Sequence, residues 1–206
     1  MLHPAMTVIL SEHNALSAML RTIRLLNIEY RRLGTLPDFT LLRTMLFYVD
    51  EFPERLHHPK ETQLLFPKLR TRTTEAADTL DRLDREHAAG EHAIRELEHD
   101  LLAFEVMGES RRQRFEQSMN LYIDFYLDHM RIEEAEVLPL AVRLLTPDDW
   151  AELDAAFLQN RDPLTGHDPD DAYRPLFKKI LNTLPAPLGV GPSLEPLAAA
   201  NAARRS

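Results

Sequence analysis

The chain has 206 residues, 24 Lys and Arg against 33 Asp and Glu, a net charge of −9 and no cysteine. That length allows one domain with a full core and some appendage. Lack of cysteine excludes disulfides, thiolate metal sites and cysteine nucleophiles, and fits a reducing cytosol. The acidic excess falls in residues 73–206, with 14 basic against 26 acidic side chains. Such a surface argues against nucleic acid as a primary partner, because phosphate binding needs clustered base.

Scarce glycine and abundant Leu, Ala, Arg and Glu favour helices over strands. The first helix is expected over residues 7–33, where Ile9, Leu16, Leu20, Ile23, Leu26, Tyr30 and Leu33 recur at helical spacing with His13 on the same stripe. Gly34-Thr35-Leu36-Pro37 stops it and Asp38 can cap the next. The second covers residues 39–70 through Leu42, Met45, Val49, Phe52 and Leu56, with Pro53 and Pro59 expected to kink it. In the third, Leu80, Leu83, His87, Gly90, Ile94, Leu97, Leu101 and Phe104 step by three and four until Gly108. Ser110-Arg111-Arg112-Gln113 reads as a capping box for the fourth. There Phe115, Met119, Tyr122, Tyr126, His129, Glu133, Val137 and Leu140 share one face.

Thr146-Pro147-Asp148-Asp149 opens a fifth helix, to about Gln159. Residues 160–171 read as a loop and 172–183 as a short helix carrying Leu176, Phe177, Ile180 and Leu181. From Pro185 the Pro/Ala/Gly-rich chain is expected to be extended or disordered. The expected division is thus a four-helix unit over 1–145, a helical extension over 146–184 packed on it, and a tail over 185–206. The fold class is all-α, an up-down-up-down antiparallel four-helix bundle with one or two additional C-terminal helices. No apolar run is long enough to span a bilayer, and Met6–Leu10 is too short for a secretory signal. A cytoplasmic location without a membrane partner is expected.

One pattern occurs twice. His57–Pro67 and His129–Pro139, 72 residues apart, both read His-x3-Glu-x4-(Phe/Leu)-Pro. Upstream of each lies a Glu-His pair, Glu12-His13 and Glu86-His87, at 44 and 42 residues from the partner histidine. His13 lies 21 residues before Gly34 and His57 20 after Pro37. His57 is 13 before Arg70 and His87 12 after Glu75. His87 is 21 before Gly108 and His129 19 after Ser110. In an antiparallel bundle each hairpin would bring its two histidines level to within about one turn of roughly 5.4 Å. A lone histidine on an apolar stripe is usually a satisfied core residue; four at matched heights with a repeated glutamate call for another reason.

Residues four apart share a helix face, so His57 with Glu61 and His129 with Glu133 can bind together. His13, His57, Glu61, His87, His129 and Glu133 offer four imidazoles and two carboxylates, a set suited to two metals with the glutamates bridging and positions left open. His58 competes with His57, and Glu134 with Glu133; the repeat favours His57 and Glu133, leaving His58 behind the ligands or facing solvent. Glu91, four after His87, reads either as an extra ligand or as a rim carboxylate. Glu12 and Glu86 read as acceptors behind the ligand imidazoles or as a pocket rim. His92 and His99 fit a solvated face, His3 a terminus and His167 a loop.

These residues resemble the hemerythrin-like family, the hemerythrin HHE cation-binding domain, over about residues 7–145. The resemblance implies a di-iron centre, two iron ions bridged by Glu61, Glu133 and an oxo or hydroxo group, in a four-helix bundle. It implies a small partner such as oxygen or nitric oxide. Oxygen-carrying members place a histidine where this chain has Glu91 and use His-x4-Asp on the fourth helix, so four histidines with two glutamates is closer to the sensor and repair branches. The expected function is binding or sensing of oxygen, nitric oxide or iron and redox state. A peroxidase, an oxidase, a nitric-oxide-reducing enzyme, and iron storage or donation stand as alternatives on the same ligands.

Overall fold

The computed structural model of the chain describes residues 3–166, 171 and 173–183. His167 and the tail expected from residue 185 lie outside the described residues. No strand occurs among those described, and their regular structure is all helical. Helix α1 is Pro4–Arg32. Helix α2 runs from Phe39 to Arg72, with α-helical Phe39–Val49, His58–Lys60 and Phe66–Arg72 separated by π-helical Asp50–His57 and Glu61–Leu65. Helix α3 is Ala77–Met107. Helix α4 runs from Arg112 to Leu144 through a π turn at Glu133–Val137. Helix α5 is Pro147–Phe157 and α6 is Arg174–Thr183.

The ends follow ordinary capping chemistry. Gly34 at φ 65° and Gly108 at φ 76° terminate α1 and α3 in a region open to glycine. Asp38 accepts from the Leu41 N–H at 2.9 Å. At α5, Thr146 and Asp149 form a reciprocal capping box. The box expected at Ser110-Gln113 is not made. A 3-10 turn, Gly108–Arg111, carries the chain into α4, and the Ser110 hydroxyl donates to the Met107 carbonyl instead.

The prolines of α2 fall where its ladder is interrupted, Pro53 inside π-helical Asp50–His57 and Pro59 in the short α-helical turn after it. Pro67 and Pro139 lack an N–H, and their rings would press on the carbonyl four residues back in an α-helix. A π turn precedes each, with Phe66 N–H reaching Glu61 O and Leu138 N–H reaching Glu133 O. The same distortion thus recurs 72 residues apart, and each π turn begins at the glutamate of the repeated motif.

Helix α3 packs along α4, α1 against α4 and α5, and α2 against α3 and α6. The predicted stripes of α3 and α4 are buried throughout. Leu56 on α2 departs from its predicted stripe: it lies within the π-helical Asp50–His57 and is exposed. The apolar core comes in two blocks. One gathers Leu16–Tyr30, Leu41–Phe52, Ile94–Phe104 and Phe115–Met130 with Phe177 and Ile180 of α6. The other gathers Ala5–Ile9, Leu65–Leu69, Leu80–Leu83, Ile132–Ala141 and the α5 residues Trp150, Leu153 and Phe157. His13, His57, Glu61, His87, His129 and Glu133 occupy the layer between them.

Gly90 stands on the buried stripe of α3, where a Cβ would run into the Tyr126 hydroxyl and come within 2.8 Å of its Cζ. That ring is fixed by the hydrogen bond its hydroxyl donates to Glu54. Gly90→Ala is expected to destabilise the fold by about 1–3 kcal/mol of overpacking despite alanine's better helix propensity. Denaturant unfolding checks this; an unchanged or raised midpoint would show that Tyr126 yields freely.

Candidate metal centre

Six side chains from four helices converge in the layer between the apolar blocks, each buried: His13 from α1, His57 and Glu61 from α2, His87 from α3, His129 and Glu133 from α4. His13 Nε2 stands 3.2 Å from His57 Nε2, and His87 Nε2 stands 2.9 Å from His129 Nε2. Glu61 places Oε1 3.3 Å from His57 Nε2 and Oε2 3.6 Å from His87 Nε2. Glu133 places Oε2 3.4 Å from His13 Nε2 and Oε1 3.2 Å from His129 Nε2. Each carboxylate therefore presents one oxygen to one histidine pair and the other oxygen to the second pair.

The outward nitrogens are held with the same twofold logic. His57 Nδ1 donates to Glu12 Oε2 at 2.6 Å and His129 Nδ1 to Glu86 Oε2 at 2.9 Å. His13 Nδ1 donates to Glu134 Oε1 at 3.0 Å, and His87 Nδ1 hydrogen-bonds Thr62 Oγ1 at 2.8 Å. The glutamate before one histidine thus orients the histidine on the next helix, and the residue after each central glutamate orients the remaining one. Such partners fix the tautomer and leave Nε2 as the inward donor. Thr62 went unseen in sequence reasoning, although its place after Glu61, matching Glu134 after Glu133, is a signal the repeat contains.

The donors fit a cation. All four oxygens of Glu61 and Glu133 are buried without a hydrogen-bond partner. His13 and His57 give their Nδ1 protons to carboxylates, so their neutral forms point two lone pairs at each other and at carboxylate oxygens. Buried charge of one sign in that arrangement is costly unless paired. Cis nitrogens on one metal at about 2.1 Å lie roughly 3 Å apart, which is the spacing of both histidine pairs. His13, His57 and Glu61, and likewise Glu61, His87 and Glu133, bring ligand atoms within 4.8 Å of one another.

A family model for the hemerythrin HHE cation-binding domain matches residues 5–141. The chain belongs to this family. No curated protein matches it. The family match ends inside α4, so α5 and the loop that follows lie beyond the matched residues.

These segments reach the centre. Asn160 is buried, donates from Nδ2 to Glu12 Oε2 at 2.8 Å and accepts from Lys60 Nζ. Phe157 packs edge-on against the His57 ring at 5.8 Å between centroids. Asp162 is buried and accepts from the Tyr48 hydroxyl at 2.6 Å. Between this loop and the centre lies a cavity of about 10 Å³, room for one water-sized molecule, lined by Glu12, His13, His57, His58, Phe52 and Asn160 among others.

The competing residues separate. Glu134 is the outer partner of His13, while Glu133 stands in the centre. Glu91 is exposed and pairs with Arg95, as a rim carboxylate would. His92 and His99 are exposed. His3 stacks on Trp150 with ring centres 4.1 Å apart. His58 is buried at 4 % exposure, not solvent-facing, because the π turn before it swings both His57 and His58 inward. Burial, with nearby histidines, holds its pKa well below the ordinary value.

Burial alone would depress the His57 pKa, but Glu61 and Glu12 reverse this and hold it well above 6.5. Burial also opposes protonation of His129, yet Glu133, Glu86 and Glu61 carry its pKa to about 10. Burial would raise Glu133, and His129, His87 and His13 outweigh it, keeping it well below the usual carboxylate range. Without a cation, protons supply the positive charge. A raised histidine pKa stabilises the fold fully below the unfolded value near 6.5 and loses that contribution as pH rises toward about 10. The metal-free protein should therefore melt progressively lower from about pH 6.5 to 10, whereas metal retention should strengthen with pH because binding needs neutral imidazole. Calorimetry of both forms checks the opposed trends; parallel profiles would contradict them.

Removing an outer partner has a separate signature. Glu12→Ala or Glu86→Ala should weaken metal affinity about 10- to 100-fold by freeing the histidine it orients. Competition titration with a chelator measures this, and affinities equal to the unaltered protein would deny these glutamates that role.

Proposed function

We propose that this chain is a non-haem di-iron protein that binds or senses a diatomic ligand, oxygen or nitric oxide. His13 and His57 would hold one metal and His87 and His129 the other, with Glu61 and Glu133 shared between the two. The four long helices are read as an up-down-up-down antiparallel bundle over 1–145, with α5 and α6 as its extension. The observation that carries the reading is the splayed pair of carboxylates, each with its two oxygens 3.3–3.6 Å (Glu61) or 3.2–3.4 Å (Glu133) from imidazoles of opposite pairs. One metal would need only one such face.

When bound, an iron pair supplies reversible redox chemistry and a place for a small ligand. The chain's own residues set the terms. The two apolar blocks keep bulk water from the layer. Glu12, Glu86, Glu134 and Thr62 hold the imidazoles so that Nε2 faces inward. A cavity with room for one water-sized molecule lies beside His13 and His57.

Anaerobic loading with ferrous iron should give two irons per chain and a nearly colourless protein, with near-ultraviolet bands in air that reduction removes. Glu61→Ala and Glu133→Ala should each lower occupancy at both positions. One metal or fewer per chain, or two zinc ions from cells with no bands after ferrous loading, would overturn the reading. Multiple turnovers with peroxide or nitric oxide would move it to the enzyme class.

A further inference from the structure

The 72-residue repeat relates His57 to His129, Glu61 to Glu133 and Pro67 to Pro139, and it breaks beside the centre. His58 corresponds to Met130, and Glu54 corresponds to Tyr126. These are buried together: Glu54 Oε1 accepts from the Tyr122 hydroxyl at 2.9 Å and from Tyr126, while Glu54 Oε2 accepts from His58 Nδ1 at 3.1 Å. With both oxygens engaged, Glu54 fixes the His58 ring and its tautomer. This is the treatment given to His13, His57 and His129, whose Nδ1 atoms are also tied to glutamates. It leaves Nε2 of His58 as the donor nitrogen.

We propose that His58 is a fifth imidazole ligand, bound to the metal held by His87 and His129. This rests on the di-iron reading and extends it by a residue whose counterpart in the second half, Met130, cannot serve alike. Ligand nitrogens of His58, His87 and His129 lie within 4.8 Å of one another. Two imidazoles bound cis at about 2.1 Å place their ring centres roughly 4.5 Å apart. The His58 and His87 centres are 4.4 Å apart with planes 16° from parallel, those of His87 and His129 4.7 Å apart at 60°, and those of His58 and His129 5.6 Å apart at 70°. The His58 ring also lies parallel to Tyr126, at 5.4 Å and 4°, which blocks rotation away from the centre. Third-helix Glu91 does not compete, since it is exposed and paired with Arg95.

The two metals are then unequal. His58, His87, His129 and the bridging carboxylates crowd one, while the other has His13, His57 and the same bridges. The unequal ligand count is what an experiment can read. Mössbauer spectra of the ⁵⁷Fe-loaded diferrous protein should show two distinct doublets of equal area. In His58→Ala the doublets should converge, one iron should bind at least tenfold more weakly, and added imidazole should restore both. His58→Gln keeps the volume and a donor toward Glu54 and covers the case in which alanine folds poorly; it too should lose the distinction. Glu54→Gln keeps an acceptor for His58 and should retain two doublets. Two irons bound as tightly as before with unchanged doublets in the histidine variants would overturn this inference while leaving the di-iron reading intact. Fewer than two irons in the unaltered protein would overturn both.

Discussion

Everything in this structure is arranged around two buried glutamates that face imidazoles. Glu61 and Glu133 stand at 0 % exposure, and their four oxygens lie 3.2–3.6 Å from the nitrogens of His13, His57, His87 and His129. A buried ionised carboxylate is costly unless it is paired or bound to a cation. A fold selected for stability alone would place leucine at both positions, since the stripes above and below them are apolar. The layer is therefore a strained feature of the metal-free chain, and protons drawn onto His57 and His129 are its partial relief. A cation between each histidine pair answers the same need better, because it satisfies lone pairs on nitrogen and oxygen at once.

The surroundings follow from that constraint. A plain α-helix would carry the glutamate and the proline of each motif on one regular ladder. The π turns at Glu61–Leu65 and Glu133–Val137 instead absorb the missing proline donor and begin at the central glutamate. Backbone irregularity is thus spent where the side chain must be aimed. Outer partners then remove the remaining freedom of the imidazoles. Their cross-helix pattern explains why a glutamate precedes each of His13 and His87: the dipeptide serves two helices, one through the histidine and one through the glutamate.

The sequence made the centre legible because its chemistry is written at fixed spacing within four helices. Counting residues from turns set the histidine levels, and the repeat separated Glu133 from Glu134. Stripes of α3 and α4 were readable because unbroken steps of three and four leave no other period. What the sequence hid came from longer-range or subtler geometry. Proline signalled an interruption in α2 but not that it would become a π-helix. The Ser110 box failed because a 3-10 turn consumed the residues that should have formed it. Asn160 meets Glu12 across 148 residues, and no periodicity reports a contact of that kind. The repeat favours His57 over His58, and nothing in the spacing reports that the His58 ring is buried and held by Glu54.

Symmetry and its loss have different jobs here. The shared features, two His-x3-Glu motifs and two Glu-His pairs, build a cage that treats both halves alike. The unshared ones distinguish them. On one side Glu86, which holds His129, is bound by Arg82 at 2.6 Å on the protein surface. On the other, Glu12, which holds His57, is buried and closed over by Asn160, with Lys60 behind it. Both outer carboxylates have a cation nearby, but one pair is wet and the other is roofed by the segment after α5. Charge interactions at the roofed side are less screened. The cavity lies on that same side, so the histidine pair nearest it, His13 and His57, is also the one met by the added segment. The segment beyond the family match thereby meets the centre through Asn160 on Glu12 and Phe157 on the His57 ring, and the two halves of a duplicated pattern are left with unequal surroundings.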